Sequence, residues 1–285
     1  MLLFTFRLLS VLPLSALQVI GRIGGRLVYL LSAQYRSRLQ ANAKQAGYGE
    51  PAFAWRAAGE AGAMVMELAR VWFKKTDALN RVVSDQEDHV ITEALAEGRG
   101  ILYLTPHLGS FEMAARYRAQ HQPVTVMFRP PRKAILEPTL QAARNASGVS
   151  TVPASRHGVR AFLKALKQQE AVGMLPDQVP SEGEGVWAPF FGREAWTVTL
   201  PGKLASATNA IVMVVACERL PKGKGWRMHY MRAPEPLPET ARGQAMLFNH
   251  MMQTLISRFP EQYLWGYDRY KRPANVAPPP ETAVD

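Results

Sequence analysis

Cysteine is nearly missing from this chain: Cys217 stands alone among 285 residues. Within one chain that excludes a disulfide framework and any zinc site built on cysteine pairs. The six histidines, at 89, 107, 121, 157, 229 and 250, are scattered. None forms the close His pairs that metal sites use, so neither a metal nor another cofactor is expected. Negative charge is scarce as well. With 23 Asp and Glu against 34 Lys and Arg, the formal net charge is +11 and the pI is near 9.9. Such a balance favours an anionic partner: a membrane face, an acidic protein or nucleic acid. No zinc finger, helix-turn-helix or RNA-binding signature accompanies the charge, which weighs against nucleic acid. Internal repeats and strong interior linkers are also lacking.

Long apolar runs are short of what a bilayer demands. The uncharged stretch 8–21 is below the roughly 18–20 residues that span cleanly, and Pro13 interrupts it. Arg7, Arg22 and Arg26 flank it, and snorkelling of Arg7 or Arg22 would lengthen the span. Three readings of residues 1–33 follow: a retained anchor or in-plane helix, a buried helix, or a signal peptide cleaved after Leu31-Ser32-Ala33. The thin basic n-region and the apolar and basic residues beyond it favour the first. The expected organisation is an N-terminal membrane anchor or interfacial helix at 1–33, one catalytic domain at 34–272, and a solvated tail at 273–285, where Pro is dense.

What the chain does have is a regular exchange of helical and strand patterns. Helices are expected at 53–73, from Ser84 to about Gly98, from Ser110 onward, and at 134–146, 159–167 and 241–259. Ser84 would cap the second of these, with Asp85, Glu87 and Asp88 facing its positive end. Strands are expected at 101–104, 124–128, 171–175, 210–217 and 226–231. This alternation predicts an α/β fold, a mixed central sheet flanked by helices, preceded by the hydrophobic membrane-associated helix. The amphipathic segment 159–167 sets Val159, Phe162, Leu163 and Leu166 against a basic stripe of Arg160, Lys164 and Lys167.

Chemistry concentrates where the strand 101–104 ends. His107 follows it directly, and Glu112 lies five positions on, in the first turn of the next helix. Strand ends in α/β sheets commonly carry catalytic groups. There Glu112 could fold back on one imidazole nitrogen, fixing the tautomer and stabilising the imidazolium. The other nitrogen would take a proton from an incoming hydroxyl. Gly109 supplies backbone freedom and room for a bulky acceptor. Ser110 is better placed to cap the helix than to act as a nucleophile. Spacing alone does not separate this dyad from a chance polar pair at a turn.

The ordered segments around it do. Thr105-Pro106-His107-Leu108-Gly109-Ser110-Phe111-Glu112 resembles the first block of the glycerolipid and lysophospholipid acyltransferase superfamily, most closely its bacterial late (secondary) lipid A branch, the lauroyl/myristoyl acyltransferases. Val126-Met127-Phe128-Arg129-Pro130 resembles the second block, and Leu175-Pro176-Asp177-Gln178 the third. The loop Pro189-Phe190-Phe191-Gly192 with Thr197 follows. The apolar run 210–215 resembles the fourth block, and Glu261-Gln262-Tyr263-Leu264-Trp265 with Arg269-Tyr270-Lys271-Arg272-Pro273 the C-terminal signature. The third block lacks the Glu-Gly-Thr-Arg pattern of glycerol-phosphate enzymes, which favours the lipid A branch.

The resemblance implies an acyltransferase in which His107, held by Glu112, deprotonates a hydroxyl of a lipid A precursor. The oxygen then attacks a thioester of an acyl-carrier protein or coenzyme A. It implies Arg129 as the oxyanion donor, and Asp177 either as support for the site or as a tie on the 178–192 loop. Gly109 and Ser110 complete the expected substrate-binding or oxyanion set. The implied partners are an acidic acyl-carrier protein, a lipid A precursor or related lipid, and a membrane surface, without nucleic acid. The implied location is the cytoplasmic face of a bacterial inner membrane. Two rivals stand beside it: acyl transfer to a lysophospholipid, and a non-enzymatic basic nucleic-acid-binding protein. Three smaller features keep two readings each. Phe190, Phe191, Trp187 and Trp196 suit an acyl pocket or plain core. Arg219, Lys222, Lys224 and Arg227 suit an anion site or a hairpin loop. Trp265, Tyr267 and Tyr270 suit a membrane interface or a buried strap.

Overall fold

A computed structural model describes residues 2–83, 87–128 and 148–280, with side chains from residue 4. Arg129, the expected helix at 134–146, the Ser84 cap and the last five residues lie outside the described residues. Three strands form the centre: β2 (Ile101–Leu104), β5 (Ala171–Met174) and β8 (Ile211–Arg219). β2 and β5 are buried at every position and β8 at all but one. Near-continuous apolar sequence without a polar face is what a strand covered on both sides needs. Around them lie β1 (Val82–Val83), β3 (Val124–Phe128), β4 (Val149–Pro153) and β9 (Trp226–Arg232). The seven-stranded order is β1-β9-β8-β2-β5-β3-β4. Every pairing is parallel except β8 with β9.

Side chains alternate across this sheet, and the two faces build two cores. Leu102, Leu104, Val172, Val212 and Val214 enter one; Ile101, Tyr103, Ala171, Ile211 and Met213 enter the other. Helices cover both: α6 (Asp88–Ala96) and α7 (Phe111–Arg118) on the second face, α8 (Arg156–Lys167), α9 (Leu200–Thr208) and α10 (Ala241–Arg258) on the first. The mixed α/β sheet expected from the alternating pattern is present. β4 and the hairpin of β6 (Gly185–Phe190) with β7 (Arg193–Val198) were not expected from sequence. The hairpin turns at Phe191 and Gly192, both at positive φ, as a two-residue turn matched to strand twist requires.

The N-terminus is a helical layer. α1 (Leu2–Leu9) and α2 (Leu14–Leu31) are separated by a break at Pro13, and α3 (Ala33–Gln45), α4 (Pro51–Phe73) and α5 (Lys75–Leu79) follow. Gly21 and Gly25 of α2 meet Ala58, Gly62 and Ala63 of α4 so closely that a Cβ on Gly25 would sit 2.1 Å from the Ala58 carbonyl oxygen. Small residues one turn apart let two backbones touch, a packing independent of large side chains. α2 therefore lies along α4, burying Leu14, Leu17, Gln18, Gly21 and Tyr29. Its other face carries Val19, Ile23, Leu27 and Leu31, spaced every four residues and exposed. α2 is the one described helix apolar and long enough to cross a membrane.

Candidate active site

Register builds the site. β2 and β5 run parallel, with Leu104 paired to Met174. Three residues past each strand stand His107 and Asp177. Equal offsets from a registered pair bring the two side chains together at the carboxyl edge of the sheet, where open α/β sheets place their ligands. Asp177 Oδ1 lies 2.8 Å from His107 Nδ1, and its Oδ2 accepts from the His107 backbone N–H at 2.9 Å. One carboxylate thus fixes both the backbone and the ring. Its negative charge assigns the proton to Nδ1 and leaves the lone pair on Nε2. Phe111 packs on the imidazole at 5.0 Å between ring centroids.

The carboxylate on the ring is a correction to the expected arrangement. Asp177, not Glu112, meets Nδ1, and the Gln178 amide stands 3.2 Å from Nε2. Both ring nitrogens are therefore accounted for. The reason is reach: parallel strands deliver Asp177 from 70 residues away directly beside the ring. Glu112, in the first turn of α7, instead joins His107 in the wall of a cavity of about 1050 Å³. That wall is largely apolar, with Phe111, Val126, Phe128, Val159, Met174 and Leu200, and it also carries Arg116, Arg156, Arg160 and Lys203.

Gly109 and Ser110 are not placed as substrate donors. The Gly109 N–H donates to the Gln262 carbonyl at 3.1 Å and the Ser110 N–H to the Cys217 carbonyl at 2.7 Å. Neither residue lines the cavity. Gly109 has φ +60°, and a Cβ there would lie 2.1 Å from the Cys217 carbonyl oxygen. Its need for glycine is thus structural. Ser110 occupies the N-cap position of α7, yet its side chain makes no capping bond, and its buried Oγ has no partner among the described residues.

Electrostatics favour an ionised Asp177. Burial pushes its carboxyl up, but the His107 charge, the two hydrogen bonds from His107 and the Arg269 guanidinium outweigh burial, so it titrates below the ordinary carboxylate value. Burial first, then the nearby Asp177 charge, holds the Tyr263 phenol well above the usual value. Arg269 is buried and donates to the Trp196 carbonyl and the Thr197 hydroxyl, each at 2.8 Å. Leu264 N–H donates to the His107 carbonyl at 3.0 Å, and Val179 N–H to the Tyr267 hydroxyl at 2.9 Å. The segment 262–270 is accordingly a buried strap behind the site; Tyr263 and Trp265 are almost wholly covered.

Two other ambiguities resolve similarly. Phe190 and Phe191 pack on Tyr263 and Trp265, and Trp187 on Trp196, away from the cavity; they are core and support. Arg219 is buried against Glu67 at 2.8 Å and Glu60 at 2.7 Å, so it offers no surface charge. Burial would lower its pKa, but these two carboxylates raise it above its ordinary value. Sequence reasoning missed this cluster and the site roles of Gln178, Tyr263 and Arg269. The available signal was Glu67, a lone acid in the apolar run 63–69 of α4, because a buried charge demands a partner.

Residues 1–272 match the model of the family described as bacterial lipid A biosynthesis acyltransferase. The chain belongs to that family. It is an acyltransferase. Among its relatives, the lipid A biosynthesis lauroyltransferase of Escherichia coli (strain K12) is 29% identical over 219 residues, covering 75% of this chain and 71% of that one. The lipid A biosynthesis palmitoleoyltransferase of the same organism is 26% identical over 212 residues, covering 74% and 68%. A lipid A biosynthesis acyltransferase of Haemophilus influenzae is 26% identical over 178 residues, covering 61% and 55%. Family membership removes the non-enzymatic rival.

Proposed function

We propose that this acyltransferase moves a fatty acyl chain from an acyl-carrier-protein thioester to a hydroxyl of a lipid A precursor, with His107 as general base. One observation carries the reading: a histidine whose Nδ1 is held by a buried carboxylate presents Nε2 beside a large, mostly apolar cavity. Nε2 takes the hydroxyl proton as the oxygen attacks the thioester carbonyl, help worth roughly 10²–10⁴ in rate. Asp177 holds the ring and stabilises the imidazolium. Glu112 contributes a second carboxylate from the cavity wall. The apolar wall suits an acyl chain; Arg156, Arg160 and Lys203 suit phosphates on either substrate. Arg129 keeps its proposed part as oxyanion donor from its sequence position after β3. The exposed apolar stripe on α2 supports a seat on a membrane surface; in this reading that surface is the cytoplasmic face of the bacterial inner membrane, where such a precursor would be met.

The test is transfer from a radiolabelled acyl-carrier thioester to a lipid A precursor and, separately, to a lysophospholipid. Label is expected on the lipid A precursor; label on the lysophospholipid alone overturns the acceptor. His107→Ala should abolish transfer, and Glu112→Gln should lower kcat by about tenfold or more.

A further inference from the structure

Asp177 and Gln178 are neighbours in sequence, yet they meet opposite nitrogens of one imidazole. The chain between the contacts is held on both sides. Asp177 is clasped to His107, and the next backbone N–H after Gln178 is tied to the Tyr267 hydroxyl. Gln178 is half-buried between these anchors, and its side chain lines the cavity beside His107. The ionised carboxylate puts the proton on Nδ1, so Nε2 offers only a lone pair. A lone pair is met by the NH₂ of an amide and not by its oxygen, which orients Gln178.

That lone pair is the one the reaction needs. We propose that Gln178 is a further catalytic residue: its N–H caps Nε2 in the resting enzyme and, displaced by the acceptor hydroxyl, donates to the oxyanion of the reacting thioester. The assignment rests on the acyl-transfer reading above. The hydroxyl O–H breaks and its proton goes to Nε2. The oxygen bonds to the thioester carbon, whose C=O π pair moves onto the carbonyl oxygen. The reacting carbon sits one bond from the attacking oxygen, which itself occupies the former amide position on Nε2. A modest side-chain rotation therefore brings the released N–H within hydrogen-bond range of the new oxyanion. Collapse re-forms the C=O and breaks C–S; the thiolate leaves with the proton from Nε2, giving ester and thiol. In the resting state the same bond keeps the ring in place and shields the base from water.

Two variants separate this role from a structural one. Gln178→Glu keeps the shape but cannot donate when ionised, and Gln178→Ala removes the group. Both are expected to lower kcat by roughly 10²–10³, with KM for donor and acceptor within about threefold. Circular dichroism of both variants should match the wild type, so a fall in kcat at near-constant KM reads the amide. A kcat within about threefold of wild type in either variant overturns the proposal. A wild-type chain that transfers no acyl group sinks the acyl-transfer reading instead, an outcome distinct from loss confined to the Gln178 variants.

Discussion

A neutral imidazole has one lone pair, and at His107 the carboxylate of Asp177 decides which nitrogen carries it. Asp177→Asn keeps the shape and removes the charge that favours the imidazolium. The expected result is a fall in kcat of roughly 10²–10⁴ with the fold intact, measured by acyl transfer beside circular dichroism. The same residue has a stability consequence. Its folded pKa lies below the ordinary value, so its ionisation stabilises the fold above the unfolded pKa of about 3.9 and that contribution is lost as pH falls through the lower folded value. Urea midpoints between about pH 5 and 2 should therefore decline in the wild type through a component that Asp177→Asn lacks. Arg219 gives the contrasting case of charge held for structure. It is paired with Glu67 and Glu60, and Glu67 also accepts from the Trp226 indole. Arg219→Ala leaves a buried carboxylate without its cation and should cost about 3–5 kcal/mol in urea unfolding.

At the scale of elements, the turn between β2 and α7 is shaped by what backs it. Its backbone bonds run to β8 through Cys217 and to the strap through Gln262 and Leu264. Gly109 is where the turn touches β8. Gly109→Ala would add about 1–2 kcal/mol of left-handed backbone cost and a clash with a fixed carbonyl. The expected outcome is destabilisation of more than about 2 kcal/mol with loss of activity, read from urea melts and acyl transfer in parallel. Strand β2 itself, at Ile101–Leu104, coincides with the expected span, as does β3; short apolar runs bounded by Gly and Pro are easily read. β4, with two polar residues in five, and the β6–β7 hairpin, where Pro189 and Phe191 break the usual pattern, were not legible. Their pairing comes from neighbours far along the chain. Glu112 illustrates the same limit at the site. Its sequence distance from His107 suggested the partner, but the partner was delivered by a strand.

At the scale of the molecule, the apolar outer face of α2 is the feature the compact body does not use. Ile23 is 53% and Leu27 51% exposed, while the opposite side of the helix is bound to α4 through glycine contacts. Ile23→Glu with Leu27→Glu should leave the fold unchanged, because neither side chain is buried. Binding to anionic vesicles should weaken by about a hundredfold or more, since each buried aliphatic side chain is worth about 1.5–3 kcal/mol. Co-sedimentation with vesicles checks this, and circular dichroism checks the fold.

Sequence alone was enough for the α/β class and the family resemblance. Apolar runs and their breaks are local properties, and ordered motifs survive in one dimension. Only the tertiary structure decided which acid holds the ring, that Gln178 meets the free nitrogen, and that Gly109, Tyr263 and Arg269 serve the scaffold behind them. These choices depend on which strands lie side by side and in what register. The pairing of Leu104 with Met174 is made by the packing of the whole sheet, not by any segment of it.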